Sequence, residues 1–141
     1  MTPAETSTTK PASKGLHIGL WVAQGLLAFA FLGAGLTKLT MPVEKLAAQM
    51  PWVGGALGPW VRFIAAADVA GAIGLVLPAA TRIKPRLTAL AALGLVAIMV
   101  LASITHAMYG EWDKIAVTTL LGALAAFVAW GRSTKAPLAP R

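Results

Sequence analysis

Residues 60–78, WVRFIAAADVAGAIGLVLP, constrain the fold of this chain more than any other stretch. The segment is almost wholly apolar, and it is long enough to cross a bilayer as one helix. One carboxylate, Asp68, stands near its middle. A charged side chain at the bilayer centre costs about 2.5–3.5 kcal/mol on insertion scales. A helix that carries Asp68 must therefore bury it inside protein, pair it, or keep it protonated.

The composition extends the membrane interpretation from this segment to the whole chain. Of its 141 residues, 57% are hydrophobic and 12% are charged, whereas a soluble domain is about half apolar and about a quarter charged. The length allows about four spans. We therefore predict an all-α fold: a four-helix antiparallel transmembrane bundle with a short outer amphipathic helix in the first loop.

The apolar segments and their breaks set the predicted boundaries. The four spans are expected at about 17–37, 60–78, 87–108 and 115–131. The first loop contains PVEKLAAQM, which begins with Pro42 and predicts a short helix to Gln49. Its Val43, Leu46 and Ala47 share one side, as suits a helix on the membrane surface.

The two ends of the chain are predicted to be tails. Residues 1–15 are rich in Thr, Ser, Pro and Lys without an apolar period, so we expect a disordered cytoplasmic tail. A signal peptide is the alternative, but the apolar stretch that follows exceeds the 7–15 residues of an h-region. The predicted division is a tail at 1–15, a four-span membrane domain at 16–132 and a cytoplasmic tail at 133–141.

The basic residues predict the orientation. The net charge is +7, but Lys and Arg lie outside the apolar cores, which does not favour nucleic-acid binding. With both termini inside, the inner segments hold eight of them: Lys10, Lys14, Arg82, Lys84, Arg86, Arg132, Lys135 and Arg141. The outer segments hold four: Lys38, Lys45, Arg62 and Lys114. The positive-inside rule therefore favours cytoplasmic termini.

Three spans are each predicted to bring one ionisable side chain to the outer half of the bundle. Lys38 ends the first span, and His106 lies in the last turn of the third. Asp68 follows Trp60 by eight residues, which places it about 12 Å below the outer interface. Intramembrane ionisable residues are candidates for function by default, so this cluster is the candidate site.

Each member of the cluster also has a structural interpretation. Lys38 can be an interfacial stop, and His106 can bond to water or backbone. Asp68 can be a polar contact to Thr118, Gln24 or Lys38 that holds the bundle together. The sequence leaves these alternatives open.

Metal and thiol chemistry are not predicted. The chain has no cysteine, which excludes disulfides and Cys-ligated metals. His17 and His106 are the two histidines, and they fall at opposite ends of their spans, about one bilayer thickness apart. They therefore cannot share one haem or one metal ion.

The chain resembles the DoxX-like family of small four-span integral membrane proteins, from about residue 20 to residue 132. The segments that carry the resemblance are AFLGAGLTKL (30–39), MPWV (50–53), VRFIAAADVAGAIGLVLPA (61–79), PRLTALAALGL (85–95) and MVLASITHAMYGE (99–111). The family more usually has Glu where this chain has Asp68. The resemblance implies a relation to a membrane subunit of a thiosulfate:quinone oxidoreductase and to partners of membrane redox complexes. Some distant animal relatives look like assembly chaperones for membrane receptors.

Residues and resemblance together give one leading hypothesis. The protein is a membrane accessory subunit of a redox system that binds a quinone or another lipid-soluble ligand in the outer half of the bundle. The predicted ligand-binding residues are Asp68, His106, Lys38, Trp60, Tyr109 and Gln24. The expected location is the plasma (inner) membrane of a bacterium, with a partner redox or membrane protein, or a second copy of the chain, beside it.

Two other classes stay open. A non-enzymatic scaffold or assembly chaperone is suggested by the small-residue faces of the second and fourth spans. A small transporter is the third, although no inverted repeat supports it. The sequence does not decide whether the protein turns over a substrate.

Overall fold

The computed structural model of the protein describes residues 13–140, and every regular element among them is helical. The helices are α1 (Lys14–Thr40), α2 (Val43–Gln49), α3 (Val61–Thr81), α4 (Arg86–Met108) and α5 (Trp112–Trp130). Two 3₁₀ turns, Pro51–Gly54 and Gly58–Trp60, lie between α2 and α3, and a π-helical turn, Gly131–Lys135, extends α5. By length and composition, four helices can cross a membrane: α1, α3 with the 3₁₀ turn before it, α4, and α5 with its π-helical extension. The predicted all-α four-helix bundle is confirmed.

The four spanning helices are longer than the spans predicted from the apolar segments. The Ser13 hydroxyl accepts a hydrogen bond from Leu16 N–H at 3.1 Å, so α1 begins at Lys14, inside the predicted tail. The rest of that predicted tail, residues 1–12, lies outside the described residues. At the other end α1 continues through Lys38 to Thr40. Helix α3 likewise runs through Pro78 to Thr81.

The four spanning helices pack in a ring. Helix α1 lies along α3, α3 along α4, and α4 along α5, while α5 meets α1 over a shorter length. The core consists of buried apolar side chains from all four helices, among them Leu20, Leu27, Phe31, Leu75, Leu95 and Val128. Large apolar side chains also cover the outside, for example Phe29, Leu90, Val117 and Leu120. Such an exterior suits lipid tails rather than water.

The two ends of the bundle differ. We name them the Lys38 end, where α1 and α4 terminate and α3 and α5 begin, and the Arg132 end, where the reverse holds. At the Lys38 end, Leu46 of α2 packs with Trp52, Val53 and Val61 in a small separate cluster. The helix predicted at 42–49 is present from Val43, and its place on an outer membrane surface stays a prediction.

Candidate functional site

A cavity of about 630 Å³ opens inside the bundle at the Lys38 end. All four spanning helices line it, and residues of the first loop complete the wall. Most of the lining is apolar, including Phe31, Trp52, Ile64, Met99 and Leu121. The ionisable side chains in the lining are Lys38, Asp68, His106 and Lys114. An apolar pocket with a few convergent polar groups is the usual form of a small-molecule site.

Lys38 and Asp68 form an ion pair in the wall of this cavity. Lys38 Nζ donates a hydrogen bond to Asp68 Oδ2, and the two side chains are 13% and 1% exposed. Of the contacts that the sequence left open for Asp68, the structure therefore contains the one to Lys38. The two residues meet because Asp68 and Lys38 lie on the facing sides of α3 and α1.

A glycine allows those two helices to approach. A Cβ atom at Gly35 would lie 2.7 Å from Val69 Cγ2 and 2.9 Å from the Ala65 carbonyl oxygen, which is closer than carbon atoms tolerate. Gly35 is one turn before Lys38 on α1. The close packing of α1 on α3 at this point brings the ammonium within reach of the carboxylate.

The second oxygen of the carboxylate is free to bind. Asp68 Oδ1 is buried and has no hydrogen-bond partner among residues 13–140. Buried polar atoms are nearly always hydrogen-bonded, so an unpaired one calls for an explanation. Lys38 also carries three N–H donors, one of which is used by Asp68. The pair therefore presents both an acceptor and donors to whatever occupies the cavity.

Arg62 holds the end of α1 that carries Lys38. Its guanidinium donates to the backbone carbonyl of Lys38 and, at 3.0 Å, to that of Met41. The last carbonyls of a helix lack intrahelical partners, and a cation there is favourable. The sequence analysis counted Arg62 only among the outer basic residues, because a contact to backbone carbonyls leaves no recognisable side-chain pattern.

His106 belongs to a second polar group at the same end. His106 Nδ1 lies 2.7 Å from Glu111 Oε2, and Lys114 Nζ donates to Glu111 Oε1 at 2.6 Å. These two hydrogen bonds, the one from Lys114 first, hold the pKa of Glu111 below its usual value. When the neutral His106 ring donates through Nδ1, its Nε2 becomes an acceptor. Both His106 and Lys114 line the cavity, so this group connects the loop surface to the cavity wall.

Trp60 and Tyr109 are not among the residues that line the cavity. Trp60 is 58% exposed and stands edge-on to Phe63, with 6.1 Å between ring centroids. The Tyr109 hydroxyl lies against Gly55 of the first loop. The tryptophan in the wall is instead Trp52, which the sequence analysis named only within the MPWV segment.

Gln24 lies at the opposite end and belongs to a separate polar cluster. Its Nε2 donates to the Leu75 carbonyl at 2.5 Å, and its Oε1 accepts from Arg132 Nε at 2.7 Å. Arg132 is only 5% exposed, and it also bonds to His17 Nδ1 at 3.2 Å. The guanidinium carbon is 5.4 Å from the centroid of Trp21. This cluster ties α1, α3 and α5 together at the Arg132 end.

Four lipid-compatible helices around a partly polar cavity define a small polytopic membrane protein. A comparison with protein families matches the DoxX-like family over residues 22–128. The chain therefore belongs to the DoxX-like family, and the matched region contains Lys38, Asp68 and His106. Comparisons with curated proteins and with solved structures found no match.

Proposed function

We propose that this protein is an integral membrane accessory subunit of a redox system, and that its cavity holds the head group of a quinone-like ligand. One observation carries the proposal: a carboxylate that is 1% exposed lines a cavity with one oxygen unpaired among the described residues. A group so costly to bury is a candidate for binding. A polar ligand that reaches Asp68 Oδ1 would satisfy it.

The donors and acceptors favour a head group that changes between two hydrogen-bonding states. A quinone carbonyl accepts hydrogen bonds, and the remaining N–H groups of Lys38 can supply them. The hydroxyl of the reduced form donates, and Asp68 Oδ1 can accept. The same pair therefore suits both the oxidised and the reduced ligand, whereas a cavity with donors alone would suit only one.

Proton transfer to and from the bound quinone would involve His106. Reduction of a quinone to a quinol takes up two electrons and two protons. In this proposal a partner redox protein supplies the electrons, and His106 or Asp68 transfers protons. A histidine oriented by a carboxylate, as His106 is by Glu111, is a common arrangement for proton transfer.

The size and wall of the cavity agree with such a ligand. Small-molecule pockets usually enclose about 300–1,000 Å³ and are mostly apolar, and this one encloses about 630 Å³. Trp52 and Phe31 in the lining offer aromatic faces to a flat ring.

The proposed location is the inner membrane of a bacterium, with both termini in the cytoplasm. The short turn after α3 supports it, because Arg82, Lys84 and Arg86 gather at the Arg132 end. The Lys38 end, with the cavity, then faces outward. The ligand would enter from the outer half of the bilayer.

The test is native mass spectrometry of protein extracted mildly from its own membranes. The wild type should carry a bound mass in the quinone range, and Asp68→Asn should lose it. Asp113→Asn, an exposed carboxylate at the same end, is the matched control and should keep the mass. Retention of the ligand by Asp68→Asn, or a wild type without any small bound molecule, would contradict the proposal.

The scaffold alternative stays a second proposal. It rested on small-residue faces, but Gly71 of α3 lies against Leu95, and Gly122 of α5 lies against Met99. Both glycines therefore serve packing within the bundle. A co-purified polypeptide without a small ligand in the same mass spectra would favour the scaffold instead.

A further inference from the structure

An apolar groove runs along the outside of the bundle between α3 and α4. It encloses about 300 Å³ and is lined by small residues, among them Ala70, Ala91 and Gly94. The lining residues nearest the Lys38 end are Ala67 and Ile98, and both of them also line the main cavity. The groove therefore adjoins the cavity, with these two residues at the boundary.

The main cavity opens toward the lipid at this seam. Phe63 of α3 and Leu101 of α4 both line it, yet they are 68% and 64% exposed. Toward the Arg132 end, α3 and α4 are in close contact, since a Cβ at Gly74 would lie 2.8 Å from Ala91 Cβ. The short turn that joins α3 to α4 lies at the Arg132 end, away from this opening.

We infer that this groove binds the hydrocarbon tail of the ligand whose head lies at the Lys38–Asp68 pair. The inference rests on the proposed function, and it specifies the ligand class: an amphiphile with a polar ring and a long apolar tail. When the head of such a ligand lies in the cavity, its tail must contact either protein or lipid. The seam between Phe63 and Leu101 is an opening through which the tail can reach the groove. Asp68, whose Oδ1 has no hydrogen-bond partner among residues 13–140, lines the adjoining cavity in which the head would lie.

The groove has the dimensions of a bound chain. From Ala91 to Ile98 it follows α4 for seven residues, which is about 10 Å. Nothing lies within 4 Å of a Cβ built at Gly94, so the floor of the groove is open there. The small residues on both walls leave room for a methylene chain.

The test compares two quinone probes that share one head group, one with a single isoprene unit and one with a saturated ten-carbon tail. Binding of each is measured in nanodiscs for the wild type and for Gly94→Leu, whose side chain would fill the groove. The matched control is Gly25→Leu on α1, a glycine that is likewise exposed with nothing within 4 Å of its Cβ position.

We expect Gly94→Leu to weaken the long-tailed probe by about tenfold, which corresponds to about 1.4 kcal/mol. The short-tailed probe should bind as it does to the wild type, and Gly25→Leu should change neither. The short-tailed probe serves as the folding control, because a misfolded variant would lose the cavity and would bind neither probe.

Other outcomes separate this inference from the proposed function. If Gly94→Leu weakens neither probe, or weakens both equally while it keeps the wild-type free energy of unfolding, the tail site is overturned and the head site stays in place. Equal weakening of the long probe by Gly25→Leu would also overturn it. If neither probe binds the wild type, the proposed function fails, and the tail site fails with it.

Discussion

Removing one member of the Lys38–Asp68 pair should destabilise the bundle far more than removing both. Asp68→Leu leaves the Lys38 ammonium, on a side chain 13% exposed, without its carboxylate. Lys38→Met leaves a carboxylate on a side chain 1% exposed, with neither oxygen paired within the described residues. Breaking a buried pair from one side costs about 3–5 kcal/mol, because an uncompensated charge stays buried.

The double variant removes both charges together. Replacement of a buried ion pair by apolar residues of similar volume is often neutral or stabilising. We therefore expect Lys38→Met/Asp68→Leu to unfold at nearly the wild-type free energy. The coupling energy between the two sites should then be several kcal/mol, well above the roughly 0.3–0.5 kcal/mol within which independent sites add.

The assay is reversible unfolding in mixed micelles of SDS and a mild detergent, followed by tryptophan fluorescence. Trp52 lies in the cavity wall and is a suitable reporter. Asp113→Leu, at an exposed carboxylate, serves as the control and should change stability little. If the two single variants each cost under about 1 kcal/mol, or if their effects simply add in the double variant, the pair does not hold α1 on α3.

Three further predictions follow from other contacts. Gly35→Val should lower the free energy of unfolding by about 1–3 kcal/mol, because its side chain would collide with Val69; chemical denaturation measures this. The lowered pKa of Glu111 means that its ionised form is favoured in the folded state. Its contribution to stability is therefore present above the usual Glu pKa and is lost as the pH falls through the lower, folded-state value; a Glu111→Gln variant should lack that acid dependence in pH-jump unfolding. Arg132→Lys should not restore the stability lost in Arg132→Met, because an ammonium cannot reproduce the directed guanidinium bonds at Gln24; thermal unfolding of the two variants compares them.

The number and type of spanning helices could be predicted from the sequence because segment length and hydropathy fix them. Their ends could not. The sequence predicts that the first span ends at Lys38, since a charged residue usually marks an interface. In the structure Lys38 lies within α1, where its ammonium reaches a carboxylate, and the helix continues to Thr40.

The meeting of Lys38, Asp68 and His106 at one cavity followed from their depths along the spans. The side-chain directions of Trp60 and Tyr109 could not be predicted in this way. Both residues lie just outside α3 and α4, where the helical period no longer determines which way a side chain points. The role of Gln24 was equally hidden. Its partner Arg132 is 108 residues away in sequence, and no local pattern connects them.

Glu111 was missed for a different reason. It follows His106 by five residues across the turn after α4, where Gly110 has a φ of +71°. That left-handed conformation, which favours glycine, turns the chain back so that Glu111 reaches His106. The glycine was a visible signal of a tight turn, although it did not show which side chains the turn would bring together.

The most direct test of the account is equilibrium binding of a short-chain quinone to the wild type and to Lys38→Met/Asp68→Leu, both in nanodiscs. The double variant is the sharpest comparison because it is expected to keep the fold while losing the polar pair. The account predicts saturable quenching of tryptophan fluorescence in the wild type and none in the double variant. Saturable binding of equal affinity in both would show that the pair does not hold the ligand.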